Sequence, residues 1–285
     1  MKKDCANNSP SMIVFTDLDG TLLDHHSYAW QDAKDCLQLL EQQGIPVIFN
    51  TSKTSAELLW WREQMNNRHP FIAENGSAVY IPKGYPITDA NDFEIIQLGA
   101  ERQQLIEWLN PISKEFTGEF KGFNQLSLEE LIDLTHLPEN QAILAMQREY
   151  SEAIYWHGDN TRRRLFIERA EAAGWKVLVG GRFLHILGQT DKGKASDRLF
   201  KILSSKINFK GKTFQGKQYI PLRVACGDSH NDIDMLDWAD LAVIIRSPVN
   251  PLPNISNKNC VISNLFGPQG WAETIQALLS DNHRS

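Results

Sequence analysis

The sequence predicts an α/β protein whose core is a doubly wound parallel sheet. Short apolar, β-branched segments alternate with stretches in which apolar residues recur at helical spacing. The apolar segments are continuous, as expected for strands that are buried on both faces. This rhythm is interrupted in the middle of the chain and then resumes, which indicates an inserted domain.

The first part of the core begins with an apolar strand that stops at Asp-Leu-Asp-Gly. The helix that follows has apolar residues at helical spacing and a glycine, Gly44, placed to end it. An Asn-Gly pair predicts a tight turn between the last two strands. The predicted elements are a strand at 12–16, a helix at 30–43, a strand at 45–50, a helix at 55–66 and strands at 71–73 and 78–81.

An inserted α+β cap domain is predicted over 87–187, with the core formed by 1–86 and 188–285. The insert has more charge and fewer wholly apolar strands than the core. Its predicted helices are 101–110 and 162–173, and its predicted strands are 153–156, 175–179 and 183–187. The core then resumes with a helix at 194–206, a strand at 222–226, a helix at 232–236 and a strand at 241–245.

The composition excludes several classes of protein. The 285 residues include 29 Lys and Arg against 35 Asp and Glu, which argues against a nucleic-acid-binding protein with a broad basic surface. No apolar run approaches the ~18 residues of a membrane span, and the N-terminal segment does not resemble a signal peptide. The four cysteines are scattered. We therefore expect a cytoplasmic protein with reduced thiols, either a monomer or a small homo-oligomer.

Asp17 and Asp19 follow the first predicted strand, and ligands of open α/β sheets lie at the carboxyl ends of strands. Residues two apart in extended backbone project to the same side. Close carboxylates raise each other's pKa unless a cation neutralises them. The pair is therefore suited to hold a hard divalent ion while one oxygen acts as a nucleophile, although a simple turn would use the same residues.

A second acidic loop, Gly227–Asp232, follows another apolar strand. Its aspartates could complete an oxygen cage around Mg²⁺. Asn231 or Asp232 would also serve as a helix N-cap, which is the structural alternative. Two Asp-rich loops after two buried strands favour the metal site.

Two further segments open predicted helices and offer groups that bind anions. Thr51-Ser52-Lys53-Thr54 combines hydroxyl and backbone N–H groups at a helix start, although helix capping alone would explain it. Thr190–Ala195 contains Lys192, whose ammonium could hold a phosphate oxygen or balance the aspartates.

The segment from Gly188 to Ala195 also approximates a nucleotide-binding P-loop, with Gly193 and Lys194 in the expected places. A P-loop needs Ser or Thr after the lysine to bind Mg²⁺, and Ala195 has no oxygen to offer. Phosphate binding by a P-loop would depend on Lys194, whereas phosphate binding at the anion site described above would depend on Lys192.

The four segments together resemble, in order, the motifs of the haloacid-dehalogenase-like phosphatase superfamily. This resemblance implies that Asp17 is a nucleophile that forms an aspartyl-phosphate. It implies that Asp19 acts as general acid and then as the base that activates water. Thr51 and Lys192 would hold the phosphoryl group.

The same resemblance implies a Mg²⁺ cofactor. The ion would lie among Asp17, the backbone carbonyl of Asp19 and Asp228. Asn231 and Asp232 would orient these groups. Positioning and charge neutralisation would then carry catalysis, as is usual for phosphoryl transfer.

The insert resembles the cap of the Cof-like branch of this superfamily, and the chain is similar over nearly its whole length to mannosyl-3-phosphoglycerate phosphatases and their relatives. The similarity rests on Thr51–Thr54, Ile72–Gly76, Arg148–Glu152 and Gly180–His185. Ala153 departs from the family pattern, in which proline is expected.

Substrate binding is assigned to residues of these segments and of the core motifs, namely Gly20, Ser52, Lys53, Glu74, Asn75, Ser151, Arg182 and Asn231. Arg182 offers a planar fork for a carboxylate or a phosphate. Ser151, Glu152 and His185 could receive sugar hydroxyls, although a lone histidine on a strand is commonly structural. The run Arg162–Arg164 is interpreted as a solvated helix start.

The resemblance implies a Mg²⁺-dependent phosphatase that converts mannosyl-3-phosphoglycerate into mannosylglycerate and phosphate, as in mannosylglycerate biosynthesis. Glucosyl-3-phosphoglycerate, sucrose phosphate or another sugar phosphate are alternatives, because the core motifs contact only the phosphoryl group. A phosphomutase and a non-catalytic binding protein on the same fold remain open as well.

Overall fold

A computed structural model describes residues 12–86, 92–180, 183–206, 213–214, 217–218 and 220–282. Within these ranges, the strands in chain order are β1 Met12–Thr16, β2 Val47–Asn50, β3 Phe71–Ala73, β4 Ala78–Pro82, β5 Phe93–Gln97, β6 Phe120–Gly122, β7 Ser151–Trp156, β8 Lys176–Val179, β9 Phe183–Leu187, β10 Thr213–Phe214, β11 Lys217–Gln218, β12 Leu222–Gly227, β13 Leu241–Arg246 and β14 Cys260–Phe266. The helices are α1 Lys34–Gln42, α2 Ser55–Gln64, α3 Arg102–Glu115, α4 Leu128–Thr135, α5 Glu139–Ala145, α6 Asn160–Ala172, α7 Lys192–Lys206, α8 Ile233–Trp238 and α9 Gly267–Asn282.

The chain forms two compact units. The first consists of Met1–Phe49 and Ser196–Ser285, and the second is Asn50–Ala195. No helix in the described ranges is both long enough and apolar enough to cross a membrane.

The first unit contains a parallel sheet with the strand order β14-β13-β12-β1-β2. Every residue of β1 is buried, which explains the continuous apolarity of that strand. Trp271 of α9 is fully buried, and its indole N–H donates to the Thr16 hydroxyl at 3.1 Å. This architecture confirms the predicted α/β core with a parallel sheet.

The parallel pairing and register of β1 and β12 bring the two acidic loops to the same edge of this sheet. Thr16, the last residue of β1, lies opposite Cys226. The amide of Asp17 then donates to the carbonyl of Cys226 at 2.9 Å. The loops that follow the two strands therefore start side by side.

The second unit contains antiparallel sheets with the orders β3-β4-β5 and β6-β7-β9-β8. The Asn-Gly turn between β3 and β4 is confirmed as the link of an antiparallel pair. The helices and strands predicted in the insert are found as α3, α6, β7, β8 and β9, with α3 ending at Glu115 and not at Asn110.

β5, β6, α4 and α5 of this unit were not predicted from the sequence. β5 is an edge strand whose residues are partly or fully exposed, so it has only a weak apolar signature. α4 begins with a capping box in which Ser127 and Glu130 bond each other's backbone amides, a signal that the sequence did contain.

The predicted insert, 87–187, lies wholly within the second unit, which also includes the residues on either side of it. Hydrogen bonds connect the predicted insert to the residues that precede it. The Ser55 hydroxyl donates to the Glu149 carboxylate at 2.9 Å, and the Tyr80 hydroxyl donates to it at 3.2 Å. The boundaries of a separate cap domain stay a prediction.

Candidate active site

Three buried carboxylates lie together in the first unit. Asp17, Asp228 and Asp232 each offer an oxygen, and these three atoms are within 4.8 Å of one another. The residues are only 4%, 1% and 0% exposed. Like charges this close and this buried repel one another unless protons or a cation neutralise them. Because hard oxygen donors are what Mg²⁺ prefers, the acidic cluster fits a divalent cation.

Asp228 is held by polar side chains, among them Asn250, which was not identified from the sequence. The amide of Asn250 donates to its Oδ2 at 2.9 Å, and the Thr21 hydroxyl donates to its Oδ1 at 3.4 Å. Gly20 is adjacent, with φ of +80°, and a Cβ there would lie 2.6 Å from Asp228 Oδ2. Gly20 is therefore required by this close approach, while its assignment to substrate binding stays a prediction.

Asp232 organises the loop after β12. Its Oδ2 accepts hydrogen bonds from the amides of Asp228 and Ser229, both at 3.1 Å. The Ser229 hydroxyl donates to Asn231 Oδ1 at 2.5 Å. Gly227 leaves room for this arrangement, since a Cβ there would lie 2.4 Å from Asp232 Cβ. Asp232 thus orients its neighbours and is also a member of the acidic cluster.

Asp19 lies in a tight loop after β1. The Leu23 amide donates to the Leu18 carbonyl at 2.7 Å, and the Gly20 amide donates to the Leu23 carbonyl at 2.9 Å. These bonds reverse the chain directly after the aspartates. The acidic cluster consists of Asp17 with two later aspartates, so the roles of Asp19 as acid, base and carbonyl ligand stay predictions.

In the second unit, the Thr51–Lys53 segment follows β2 and is held by backbone bonds. The carbonyl of Thr51 accepts from the amide of Asn75 at 2.9 Å, and the carbonyl of Lys53 accepts from the amide of Glu74 at 2.9 Å. Thr51 is 0% exposed and Lys53 only 7%. Ser52 is partly buried between them.

The Glu74–Gly76 turn that supplies these amides is entirely left-handed. Glu74, Asn75 and Gly76 have φ angles of 51°, 57° and 90°. This region is unfavourable for residues with a Cβ, so the surroundings must hold the turn in place. A Cβ at Gly76 would lie 2.2 Å from the carbonyl oxygen of Asp191, which explains the glycine.

Lys192 is the first residue of α7 and is 1% exposed. Its carbonyl accepts from the Asn50 side-chain amide at 3.0 Å. Asp191 caps the helix, because its Oδ1 accepts from the Lys194 amide at 2.7 Å. Burial raises the pKa of Asp191, but this hydrogen bond and the charge of Lys176 outweigh it, and the pKa is lowered overall.

Lys194 differs from Lys192 in its surroundings. Its side chain is 62% exposed, and its ammonium pairs with Asp191 at 3.2 Å. Lys194 is the third residue of α7, whereas Lys192 is the first. These features favour Lys192 over Lys194 as the anion-binding lysine.

Glu74 and Ser151 bond each other. The Ser151 hydroxyl donates to Glu74 Oε2 at 2.5 Å, and the amides of Glu149 and Tyr150 donate to the same carboxylate at 2.8 and 3.2 Å. Glu74 and Ser151 are both 0% exposed. Their carboxylate and hydroxyl thus fix the segment that leads into β7, and their predicted contacts with substrate are untested.

The other predicted cap contacts have different surroundings. Arg182 lies outside the described residues. Glu152 is fully buried and accepts from the Arg102 guanidinium at 2.5 Å and from the Asn124 amide at 2.8 Å. Burial, reinforced by the charges of Arg148 and Lys192, lowers the pKa of His185 to about 3, so this imidazole is neutral near pH 7.

Comparison with known proteins gives consistent matches. Residues 14–117 match the family described as haloacid dehalogenase-like hydrolase. A glucosyl-3-phosphoglycerate/mannosyl-3-phosphoglycerate phosphatase of Persephonella marina is 33% identical over 279 residues, 96% of this chain and 99% of the relative. A mannosyl-3-phosphoglycerate phosphatase of Pyrococcus horikoshii is 35% identical over 240 residues, 82% of this chain and 90% of the relative.

A solved structure, a haloacid dehalogenase-like hydrolase from B. subtilis, has the same fold, with a TM-score of 0.66 over 93% of this chain and 99% of that chain. Its sequence identity is 17%, so it supports the fold alone. The resemblance first seen in four short segments is thus confirmed over almost the whole chain, and the protein belongs to the haloacid dehalogenase-like hydrolases.

Proposed function

We propose that the protein is a phosphatase that hydrolyses mannosyl-3-phosphoglycerate to mannosylglycerate and phosphate. The observation that carries this proposal is the match to relatives named for that activity, which extends over 96% of the chain and 99% of one of them. The match therefore includes both the predicted core and the predicted insert. Because that relative is named for both sugars, glucosyl-3-phosphoglycerate is the second candidate substrate.

Hydrolysis is proposed to proceed in two displacements. A carboxylate oxygen of Asp17 attacks phosphorus, a P–O bond to Asp17 forms and the P–O bond to the glycerate oxygen breaks. Asp19 gives its proton to that leaving oxygen. Asp19 then accepts a proton from water, whose oxygen attacks the aspartyl-phosphate and releases phosphate and the Asp17 carboxylate.

Mg²⁺ is proposed to be held by Asp17, the backbone carbonyl of Asp19 and Asp228. The burial and close spacing of the acidic cluster support a cation there. When bound, the ion would neutralise these carboxylates and the charge on the phosphoryl oxygens. Asp232 and Asn231 would keep the loop after β12 in place, as their hydrogen bonds to Ser229 indicate.

Thr51 and Lys192 are proposed to bind phosphoryl oxygens. Lys192 is suited to this role because its ammonium belongs to a buried residue at the first position of a helix, where the helix dipole also favours an anion. Ser52, Lys53 and Asn75 are proposed as further contacts of the small anionic sugar phosphate. Arg182 is proposed to bind the glycerate carboxylate.

The test is phosphate release from a panel of esters, with Mg²⁺ and with EDTA. The panel contains mannosyl- and glucosyl-3-phosphoglycerate, sucrose 6-phosphate and a nucleotide. We expect Mg²⁺-dependent release that is fastest from one glycosyl-3-phosphoglycerate. Equal rates over the panel would contradict the substrate, and no release from any ester would contradict the phosphatase.

Two variants test the assigned roles. Asp17→Asn and Asp19→Asn should each lower kcat by at least about 10²-fold, since nucleophile and proton donor act in the same displacement. Asp35→Asn, which changes an exposed aspartate of α1, is the matched control. A folded Asp17→Asn variant with full activity would remove the nucleophile assignment.

A further inference from the structure

A buried guanidinium joins the predicted insert to the Thr51–Lys53 segment. Arg148 donates to the carbonyl of Ser52 through Nη2 at 2.8 Å and through Nη1 at 3.2 Å. Nη1 also lies 3.4 Å from the Ser151 hydroxyl oxygen. Arg148 is only 8% exposed, and its guanidinium lies 5.7 Å from the centre of the Phe123 ring. A charged side chain is rarely buried to this extent without a structural or functional reason.

The hydrogen-bond network continues from Arg148 through the Ser151 hydroxyl to the carboxylate of Glu74. Ser151 donates to the Glu74 carboxylate, which is fully buried. The amide of the same Glu74 donates to the carbonyl of Lys53. Arg148 and Glu74 therefore hold consecutive peptide groups of one segment and are themselves connected through Ser151.

The result is that all three carbonyls of the Thr51–Lys53 segment accept hydrogen bonds from the protein. Their donors are the amide of Asn75, the guanidinium of Arg148 and the amide of Glu74. A carbonyl oxygen repels an anion, whereas amide and hydroxyl groups attract it. The donor to the middle carbonyl, that of Ser52, is a side chain, and this side chain comes from the predicted insert.

We propose that Arg148 is a positioning residue of the phosphatase site. It holds the Ser52 carbonyl away from the phosphoryl group, so that the Thr51–Lys53 segment offers donors and not acceptors to the anion. Phosphate binding in the core then depends on the insert even for a substrate that the insert does not contact. This inference rests on the proposed function. It differs from the role proposed for Arg182, because the terminal nitrogens of Arg148 are engaged by Ser52 and Ser151.

The test compares Arg148→Met and Arg148→Lys with a matched control, Arg102→Met. Arg102 also belongs to the insert and pairs with the buried Glu152, but it does not bond the Thr51–Lys53 segment. Four quantities are measured for each full-length protein. They are the affinity for inorganic phosphate by calorimetry in Mg²⁺, the melting temperature, and kcat and KM for p-nitrophenyl phosphate and mannosyl-3-phosphoglycerate.

We expect Arg148→Met to weaken phosphate binding at least tenfold and to lower kcat/KM by a similar factor for both esters. Arg148→Lys should recover part of this loss, because an ammonium can still donate to the Ser52 carbonyl. Arg102→Met should lower the melting temperature while leaving phosphate affinity as in the wild type. If Arg148→Met does not fold, Arg148→Lys supplies the same comparison at smaller amplitude.

Three results would overturn the inference. A lower melting temperature with unchanged phosphate affinity and kcat would mean that Arg148 is only structural. A higher KM for mannosyl-3-phosphoglycerate alone would mean that it contacts the sugar or the glycerate. Absence of phosphate binding by the wild type would remove the anion site itself. If the wild type binds phosphate but hydrolyses no ester, the proposed function fails while the calorimetric comparison still decides the role of Arg148.

Discussion

The side-chain amide of Asn250 donates a hydrogen bond to Oδ2 of Asp228 at 2.9 Å. Asn250 follows β13, the strand next to β12, so a third loop contributes to the acidic cluster. Thr21 holds the other oxygen of Asp228 from the loop after β1. The carboxylate is therefore fixed from two sides, and groups that fix a metal-binding carboxylate commonly determine metal affinity.

We expect Asn250→Ala to raise the Mg²⁺ concentration needed for half-maximal activity about 10- to 100-fold. The reason is that Asp228 loses the orienting hydrogen bond from Asn250 but keeps its charge. Activity at saturating Mg²⁺ should stay close to that of the wild type. The measurement is the rate of phosphate release as a function of Mg²⁺ concentration.

Asn259→Ala provides a matched control for this prediction. Asn259 is exposed, and its side-chain amide donates to the carbonyl of Asp240 and not to the acidic cluster. An unchanged Mg²⁺ dependence in Asn250→Ala, or an equal shift in the control, would show that the Asn250–Asp228 bond does not tune metal binding.

Gly76 and Gly174 have similar backbone conformations but different surroundings, so alanine substitutions at the two positions can be compared. Their φ angles are 90° and 88°, but a Cβ at Gly76 would lie 2.2 Å from the carbonyl oxygen of Asp191, whereas one at Gly174 would meet nothing within 4 Å. Gly174→Ala should therefore lower the free energy of unfolding by only the left-handed penalty, about 1–2 kcal/mol. Gly76→Ala should lower it by a further ~1–3 kcal/mol, because backbone must move to relieve the clash.

Urea denaturation of both variants measures this difference. Equal losses in the free energy of unfolding would mean that the backbone at Asp191 moves to accommodate the added Cβ at no measurable cost. We also expect Gly76→Ala to raise KM, because the backbone that must move is that of Asp191, next to Lys192. That kinetic effect should be absent in Gly174→Ala.

The segments that carry the proposed chemistry could be predicted because they end strongly patterned strands. β1 is apolar up to its last residue, Thr16, and the buried part of β12 carries no polar side chain. Asp17 and Asp228 each follow their strand directly. In a parallel sheet such positions share one edge, so the clustering of two aspartates follows from order along the chain alone. The resemblance to a known family rests on these same segments.

What could not be predicted depends on tertiary contacts. Asn250 is one of several polar residues in the loop between β13 and β14, and no local pattern connects it to Asp228. The left-handed conformation of Glu74 is imposed by hydrogen bonds to Lys53 and Glu149, which lie far from it in sequence. The burial of Arg148 likewise contradicts the usual preference of arginine for the surface.

His185 provides a prediction on the pH dependence of stability. Burial and two nearby cations lower its pKa to about 3 in the folded protein, from the ordinary value of 6.5. Between these values the unfolded chain binds a proton at this imidazole and the folded chain does not. The contribution of His185 to stability is thus fully present above about pH 6.5 and is lost as the pH falls, by about 1.4 kcal/mol per pH unit.

Replacing this imidazole with a group that does not titrate removes that dependence. We expect the free energy of unfolding of His185→Gln to fall less steeply than that of the wild type between pH 6 and pH 5, by about 1.4 kcal/mol per pH unit. Urea denaturation at several pH values measures both slopes, and His157→Gln, which removes an exposed imidazole of the same unit, is the matched control. Parallel slopes for His185→Gln and the wild type would mean that His185 accepts a proton in the folded protein, since only then would both states gain the same charge.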